Sequence, residues 1–398
     1  MSLSQLALDR RPRVVPPRRI EAFAEVLRHI DLLLVLSTLA VAAMGVIMVY
    51  SATQAKLTQA GIDRHYYLDR QTAFAIVGFV LMVAFAAVDY RWVTHLGNVA
   101  YVAIVLGLLG VLAVGQSALG STRWFALGSF QLQPSAFASL ALILFVAAHC
   151  QRHPPTGFLR LLVLLVLLAI PILLVIKQPD LGSAIVITVS VLAMLVVGGV
   201  KFRYLVALAV LASVGIVLVL HLGFLKQYQL ARLEAFAKQG HATTAAQKNV
   251  EVKDALYDLN QSQTAIGSGS VLGKGLFHGT LTNLSYVPEE QTDFIFTAVG
   301  EQLGFAGAAT LLGLFAIMLW RIWRTARLSK DQLGRLLCVG VLATLAFSMF
   351  ENIGMTMGIM PITGIPLPFM SYGGSALLAE FASIGLVLNV AMRRFRYR

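Results

Sequence analysis

The sequence predicts an all-α polytopic membrane protein with ten transmembrane helices and a large extracytoplasmic loop between the seventh and eighth. Three observations carry this prediction. Of 398 residues, 58% are hydrophobic and 13% charged, with a mean hydropathy of +0.78, whereas a soluble domain averages about 25% charged residues. Leu32–Tyr50 and Leu181–Val200 carry no charge at all, and about 20 apolar residues suffice to cross a bilayer. Finally, the basic residues alternate in density from one connecting segment to the next.

The apolar runs place spans at 32–50, 72–88, 97–115, 134–149, 160–176, 182–200, 204–222, 293–320, 333–352 and 374–392. The first run starts at Leu32 and is long enough to stay as an anchor, so no signal peptide is predicted. With both termini in the cytoplasm, the inner segments hold 20 of the 31 basic residues. Six of the outer eleven lie in one long loop, and long loops are largely exempt from the positive-inside rule. Residues 1–30 are therefore expected to form a basic cytoplasmic tail, 31–398 a ten-helix membrane domain, and 223–292 its extracytoplasmic loop. The net charge of +12 reflects the inner-face excess and attraction to anionic lipid headgroups, so nucleic acid is not an expected partner. Cys150 and Cys338 fall at inner ends of spans and cannot build an external disulfide framework.

Within the long loop, 225–238 reads as an amphipathic helix lying on the membrane surface, 239–248 as a polar mobile stretch and 255–266 as a helix. Gly267, Gly269, Gly273, Gly275 and Gly279 follow. They match neither a dinucleotide fingerprint nor a P-loop, and they face away from cytosolic ATP. They are expected to permit tight turns near a substrate.

Acids gather on the outer side: Asp180, Asp293, Glu351 and Glu380. So do the bases Arg123, Lys177 and Lys274. Ionisable groups at membrane depth are costly and mark functional sites. Asp293 stands where the polar loop becomes the eighth span. In helical projection Thr297, Gly300, Gly304 and, further round, Glu301 lie near it, a small and polar stripe that should face protein. Phe294, Ile295 and Leu303 form the opposite stripe. The segment Pro361–Ser375, with three prolines and three glycines, cannot continue a helix yet is apolar. It is expected to be a re-entrant or tightly folded loop beside the substrate site.

These segments identify a resemblance. Gly120-Ser-Thr-Arg-Trp124, Gln133-Pro-Ser135, Gln178-Pro-Asp-Leu-Gly182, Ala265-Ile-Gly-Ser-Gly269 with Gly273-Lys-Gly275, Pro288-Glu289 with Thr292-Asp-Phe-Ile-Phe296, Asn352-Ile-Gly354 and Pro361–Ser375 resemble, in order and across almost the whole chain, the SEDS proteins typified by RodA and FtsW. The resemblance implies a peptidoglycan glycosyltransferase. Such proteins polymerise lipid II, a disaccharide-pentapeptide on undecaprenyl diphosphate, outside the cytoplasmic membrane, beside a class B penicillin-binding protein that cross-links the peptides. It implies Asp293 as the essential aspartate. Gly275–Thr280 with Leu284–Pro288, and Thr363–Phe369, look more like the elongation branch, RodA, than the division branch. The family's usual Glu after Gln-Pro-Ser and its Lys three positions later are here Ala136 and Ser139. An i,i+3 pair would sit together on a helix, and losing both leaves no orphan charge. The common His before Thr292 is here Gln291, which cannot shuttle a proton.

The expected chemistry is one-step inversion at the donor's anomeric carbon. Asp293 acts as general base on the acceptor hydroxyl, because a diphosphate leaves without an acid, unlike the two-carboxyl case of glycosidases. Arg123, Lys177 and Lys274 are the candidates to meet the diphosphate, and Glu289, Thr292 and Ser371 are further substrate-binding candidates. No metal-ligand spacing is present; a divalent cation (Mg or Mn) at Asp293 is the alternative role for that carboxylate. The alternative functions are a lipid II flippase and a non-catalytic scaffold. No comparable set of acids and bases occupies the inner halves, which alternating access would require.

Overall fold

The structure, a computed structural model, describes residues 29–118, 121–127, 130–221, 227–239, 250–284, 286–287 and 289–394. The basic tail before residue 29, the 240–249 stretch, Gly120 and Pro288 lie outside the described residues. The elements in order are α1 (Leu32–Gln59), α2 (Tyr66–Ala87), α3 (Tyr90–His95), α4 (Gly97–Val114), β1 (Gln116–Ala118), β2 (Ser121–Leu127), β3 (Phe130–Leu132), α5 (Pro134–Arg152), α6 (Phe158–Lys177), α7 (Leu181–Val197), α8 (Phe202–His221), α9 (Gln227–Ala237), α10 (Val250–Ser268), α11 (Thr280–Asn283), α12 (Ile295–Leu328), α13 (Gln332–Thr356) and α14 (Gly374–Arg393).

Eight of these helices (α1, α2, α4, α5, α6, α12, α13 and α14) are long and apolar enough to cross a membrane. Two shorter apolar helices, Leu181–Val197 and Phe202–Gly215, stand at the expected sixth and seventh positions. Many apolar side chains remain exposed around the bundle, among them Leu36, Val80, Leu106, Leu159 and Phe202, as a lipid-facing surface requires. The centre is formed by α5, α13 and α14, whose buried side chains run along most of their lengths. Asp31 caps α1 by accepting from the Leu34 N–H at 3.1 Å, and Arg321 of α12 meets the same carboxylate at 2.6 Å. That paired charge ties α1 and α12 together.

Several local features go beyond the sequence reading. Residues between α4 and α5 form a three-stranded antiparallel sheet in the order β1-β2-β3, with Ser117 opposite Thr122 and Phe125 opposite Leu132. Helix α9 has a protein partner along one face. It packs on α10, and Ala231 and Ala235 meet Val252, Ala255 and Leu259 in a small separate core that also includes Phe294 and Ile362. Helix α12 is broken at Gly304, where φ is 62° and ψ −161°. The first turns of α12 are buried on every side, and Phe294 just before them is buried too, so both projected stripes face protein there.

The glycine-rich segment explains the break. A helix interrupted at membrane depth frees backbone groups that need partners. Here Phe305 N–H donates to Ser270 O and Ala306 N–H to Val271 O, both at 2.9 Å, while Lys274 and Gly275 N–H donate to Glu301 O and Gln302 O, both at 3.0 Å. The approach is so close that a Cβ at Gly269 would collide with the Gly300 carbonyl, and one at Gly273 (φ +78°) with the Gln302 carbonyl. The glycines thus clasp a broken helix rather than turning beside a substrate.

Candidate active site

Asp293 sits in a backbone turn immediately before α12. The N–H groups of Thr292 and Asp293 both donate to Glu289 O at 3.1 Å, and Glu289 adopts φ +48°. Two other elements hold this turn. Asn352 of α13 donates through Nδ2 to both Asp293 O and Ile365 O, each at 2.8 Å. Tyr372 N–H donates to Gln291 O at 2.8 Å. The Pro361–Ser375 segment is therefore folded into the bundle and locked to the Asp293 turn. Within it Gly364 (φ +74°) lies so close that a Cβ there would sit 3.0 Å from Asp293 Oδ2 and 3.4 Å from Arg232 Nη1.

Asp293 is half-buried in the wall of a cavity of about 750 Å³. Burial pushes its carboxyl above the ordinary carboxylate value. The Arg232 guanidinium is the chief opposing influence, Glu289 adds to the rise, and Arg123 counters it. Around the cavity stand the acids Asp180, Glu251, Asp254, Asp258, Glu289 and Glu380 and the bases Arg70, Arg123 and Arg232. Burial also pushes the Asp258 carboxyl up, to about 6.

The expected site residues divide. Arg123, Glu289 and Thr292 line the cavity with Asp293. Arg123 is largely committed to backbone: Nε donates to Gln178 O at 3.1 Å, Nη2 donates to Pro179 O, and Nη1 lies 3.9 Å from Asp180. Lys177 is exposed at the end of α6 and does not line the cavity. Lys274 is also outside it, bonded through Nζ to the fully buried Glu301 at 2.7 Å. Ser371 is buried and braces the proline segment, its Oγ accepting from Leu367 N–H at 2.8 Å and its carbonyl from Gln71 Nε2 at 3.1 Å.

The acids divide likewise. Asp180 lines the cavity but caps α7, accepting from Ser183 N–H and from the hydroxyls of Ser135 and Ser183. Glu380 accepts from Phe369 N–H at 2.7 Å and faces the cavity. Glu351 is buried outside it, accepting from Thr363 at 2.9 Å. Ala136 and Ser139 both line the cavity, so the space that a Glu and a Lys would fill is open here. Arg232 and Arg70 are the cavity bases that sequence reasoning missed. Arg232 lies on a helix read as surface-bound, and its one local signal is Tyr228 four residues earlier, over whose ring it sits at 5.7 Å. Among the described residues, no group of three or more His, Cys, Asp or Glu side chains is arranged to hold a metal ion.

Residues 31–395 match the family model of the FtsW/RodA/SpoVE group, described as cell cycle protein. The chain is 33% identical over 376 residues to a probable peptidoglycan glycosyltransferase FtsW of Trichlorobacter lovleyi, covering 92% of this chain and 94% of that one. It is 33% identical over 368 residues to the peptidoglycan glycosyltransferase MrdB of Escherichia coli, with the same two coverages. Among solved structures, a chain from a study of how a peptidoglycan synthase complex coordinates polymerization and crosslinking superposes with TM-score 0.75 at 29% identity, over 92% of this chain and 99% of that one. The rod shape determining protein RodA of Thermus thermophilus superposes with TM-score 0.67 at 28% identity, over 92% and 98%.

Proposed function

The chain belongs to the FtsW/RodA/SpoVE family and is a peptidoglycan glycosyltransferase, and on that premise we propose that it polymerises lipid II on the outer face of the cytoplasmic membrane with Asp293 as general base. The observation that carries this reading is the half-buried Asp293 carboxylate. It is aimed into a cavity of about 750 Å³ by a turn tied to α13 and to the proline segment. Attack by the acceptor sugar's 4-hydroxyl on the donor's anomeric carbon forms the β-linkage and expels the α-linked diphosphate. The hydroxyl proton passes to the Asp293 carboxylate. A positioned base is worth about 10²–10⁴-fold in rate.

The leaving diphosphate needs cations where its charge develops. Arg123 spends its donors on Gln178 O and Pro179 O, which leaves Arg232 and Arg70 as the better-placed guanidinium groups. Holding a divalent cation (Mg or Mn) is the alternative role for the Asp293 carboxylate.

In this reading the chain makes ten crossings with both termini cytoplasmic. Residues 1–30 are the tail, 31–398 the membrane domain, and 223–292 its outer loop. The likeness to a complex that coordinates polymerization and crosslinking supports a class B penicillin-binding protein as partner. The elongation branch is favoured by Gly275–Thr280 and Thr363–Phe369. The test is purified protein, with and without that partner, given labelled lipid II. Polymer is the expected product, and translocation across vesicles without polymer would make the protein a flippase. Asp293→Ala should abolish polymerisation while the protein stays folded and inserted. Synthesis by that variant at near wild-type rate would remove the base assignment.

A further inference from the structure

Glu290 is a charged residue type in the very turn that carries Asp293, yet it points away from the cavity and is only 3% exposed. Its Oε1 lies 2.9 Å from Thr282 Oγ1. The same hydroxyl lies 2.8 Å from Oε2 of Glu301. A threonine hydroxyl has one hydrogen to give, so it cannot satisfy two carboxylates. One of the two acids must supply a proton.

The partners decide which. Glu301 already receives the Lys274 ammonium at 2.7 Å and the Leu281 and Thr282 N–H groups, each at 2.9 Å. Those donors occupy the positions a carboxyl proton would need, and the ammonium favours the ionised form. Thr282 therefore donates to Glu301, and its oxygen is left to accept. Glu290 has no such cation. The charged groups around it are Glu301 from α12, with Lys274 of the glycine segment beyond it. α11 contributes the Thr282 hydroxyl and no charge, and the turn itself carries Glu289 and Asp293.

We propose that Glu290 is a positioning residue that stays protonated and donates its proton to Thr282 Oγ1, so fixing the Asp293 turn to the clasped start of α12. Burial pushes the Glu290 carboxyl up to about 8, with Glu301 adding to the rise and the Thr282 bond opposing it, in accord with the hydrogen count. The turn then has three anchors. They are the Glu290 side chain on Thr282, the Gln291 carbonyl on Tyr372, and the Asp293 carbonyl on Asn352. Ionising Glu290 would leave two carboxylates competing for one hydroxyl, three residues from the base. A misplacement of about 1 Å can cost about 10²-fold in rate.

The consequence for activity rests on the polymerase reading; the protonation state does not, and two measurements separate them. In the full chain, with its transpeptidase partner, lipid II polymerisation by the wild type should fall as pH rises through about 8. Glu290→Gln keeps a donor with no proton to lose. It should hold near wild-type rate at pH 7 and show no alkaline fall. Glu290→Ala should lose roughly tenfold in kcat at pH 7 with KM within about twofold. Independently, infrared spectra should contain a protonated-carboxyl band at pH 7 that is missing in Glu290→Gln, whatever the protein's activity. A pH profile of Glu290→Gln that superposes on the wild type, or spectra in which that band is unchanged by the substitution, would overturn the proposal. Thr282→Val, which removes the shared hydroxyl, serves as the second variant. It should reproduce the alanine phenotype, and a wild-type rate from it would count equally against the assignment.

Discussion

Replacing Lys274 separates two roles that the same residue could play. As a substrate cation it would contact diphosphate; in the structure it is the ammonium partner of Glu301, whose side chain is fully buried while Lys274 is 28% exposed. Breaking a buried pair by deleting one member costs about 3–5 kcal/mol, because the other charge is left uncompensated. Here Glu301 keeps two N–H donors and one hydroxyl, and the lysine end of the pair is partly wet. About 2–3 kcal/mol is therefore expected for Lys274→Met. The assay is thermal unfolding in detergent alongside lipid II polymerisation per folded molecule. The expected outcome is a midpoint lowered by a few degrees with KM for lipid II unchanged. Adding Glu301→Gln should restore most of the loss, with a coupling of about 1–3 kcal/mol in the double-mutant cycle. A KM raised tenfold or more with an unmoved midpoint would refute the structural role and return Lys274 to the substrate.

The remaining expectations concern the clasp and the base. Gly273→Ala forces a Cβ onto the Gln302 carbonyl at φ +78°, a loss well above the ~1 kcal/mol of a tolerated glycine change; a sharply reduced yield of monodisperse protein checks it. As the proposed general base Asp293 would work only when ionised, so activity should be lost as pH falls through its folded-state value, which burial raises above the ordinary ~3.9. Since Arg232 is the main influence holding that value down, Arg232→Gln should move the acid limb of kcat/KM to higher pH, and an unmoved limb would show that the guanidinium does not act on Asp293.

Most of the helical layout was legible because bilayer crossing demands long apolar runs, and runs such as Leu32–Tyr50 have no other physical use. The place of Asp293 on the cavity wall was legible for the complementary reason, that a carboxylate at a polar-to-apolar junction is expensive without a partner or a function. What failed were inferences that treated a local pattern as if it had no tertiary partner. The two-stripe projection at Phe294 treated the helix as free, whereas α9 and α10 pack against that residue. Lys274 could not be assigned because its partner lies 27 residues away in sequence, across a helix break that only the glycine clasp makes tolerable. The small sheet before α5 went unseen because three-residue strands such as β1 and β3 carry no usable alternation. Arg232 looked like one base on a surface helix until packing turned it to the cavity.

The cavity's charge distribution bears on how the base is set. Arg123 is held by two backbone carbonyls and Lys274 by Glu301, so neither is free to follow a ligand. Arg232 is different. Its charge favours ionisation of both Asp293 and Asp258, and it forms no ion pair within 4.0 Å with either of them. A diphosphate seated against Arg232 would draw on the same positive charge and weaken its pull on Asp293. The carboxylate would then become more basic when a donor is bound than when the cavity is empty. If Asp293 is the base proposed above, strengthening on donor binding would suit the reaction, because the proton would come from an ordinary alcohol and leave only as the bond to the donor forms.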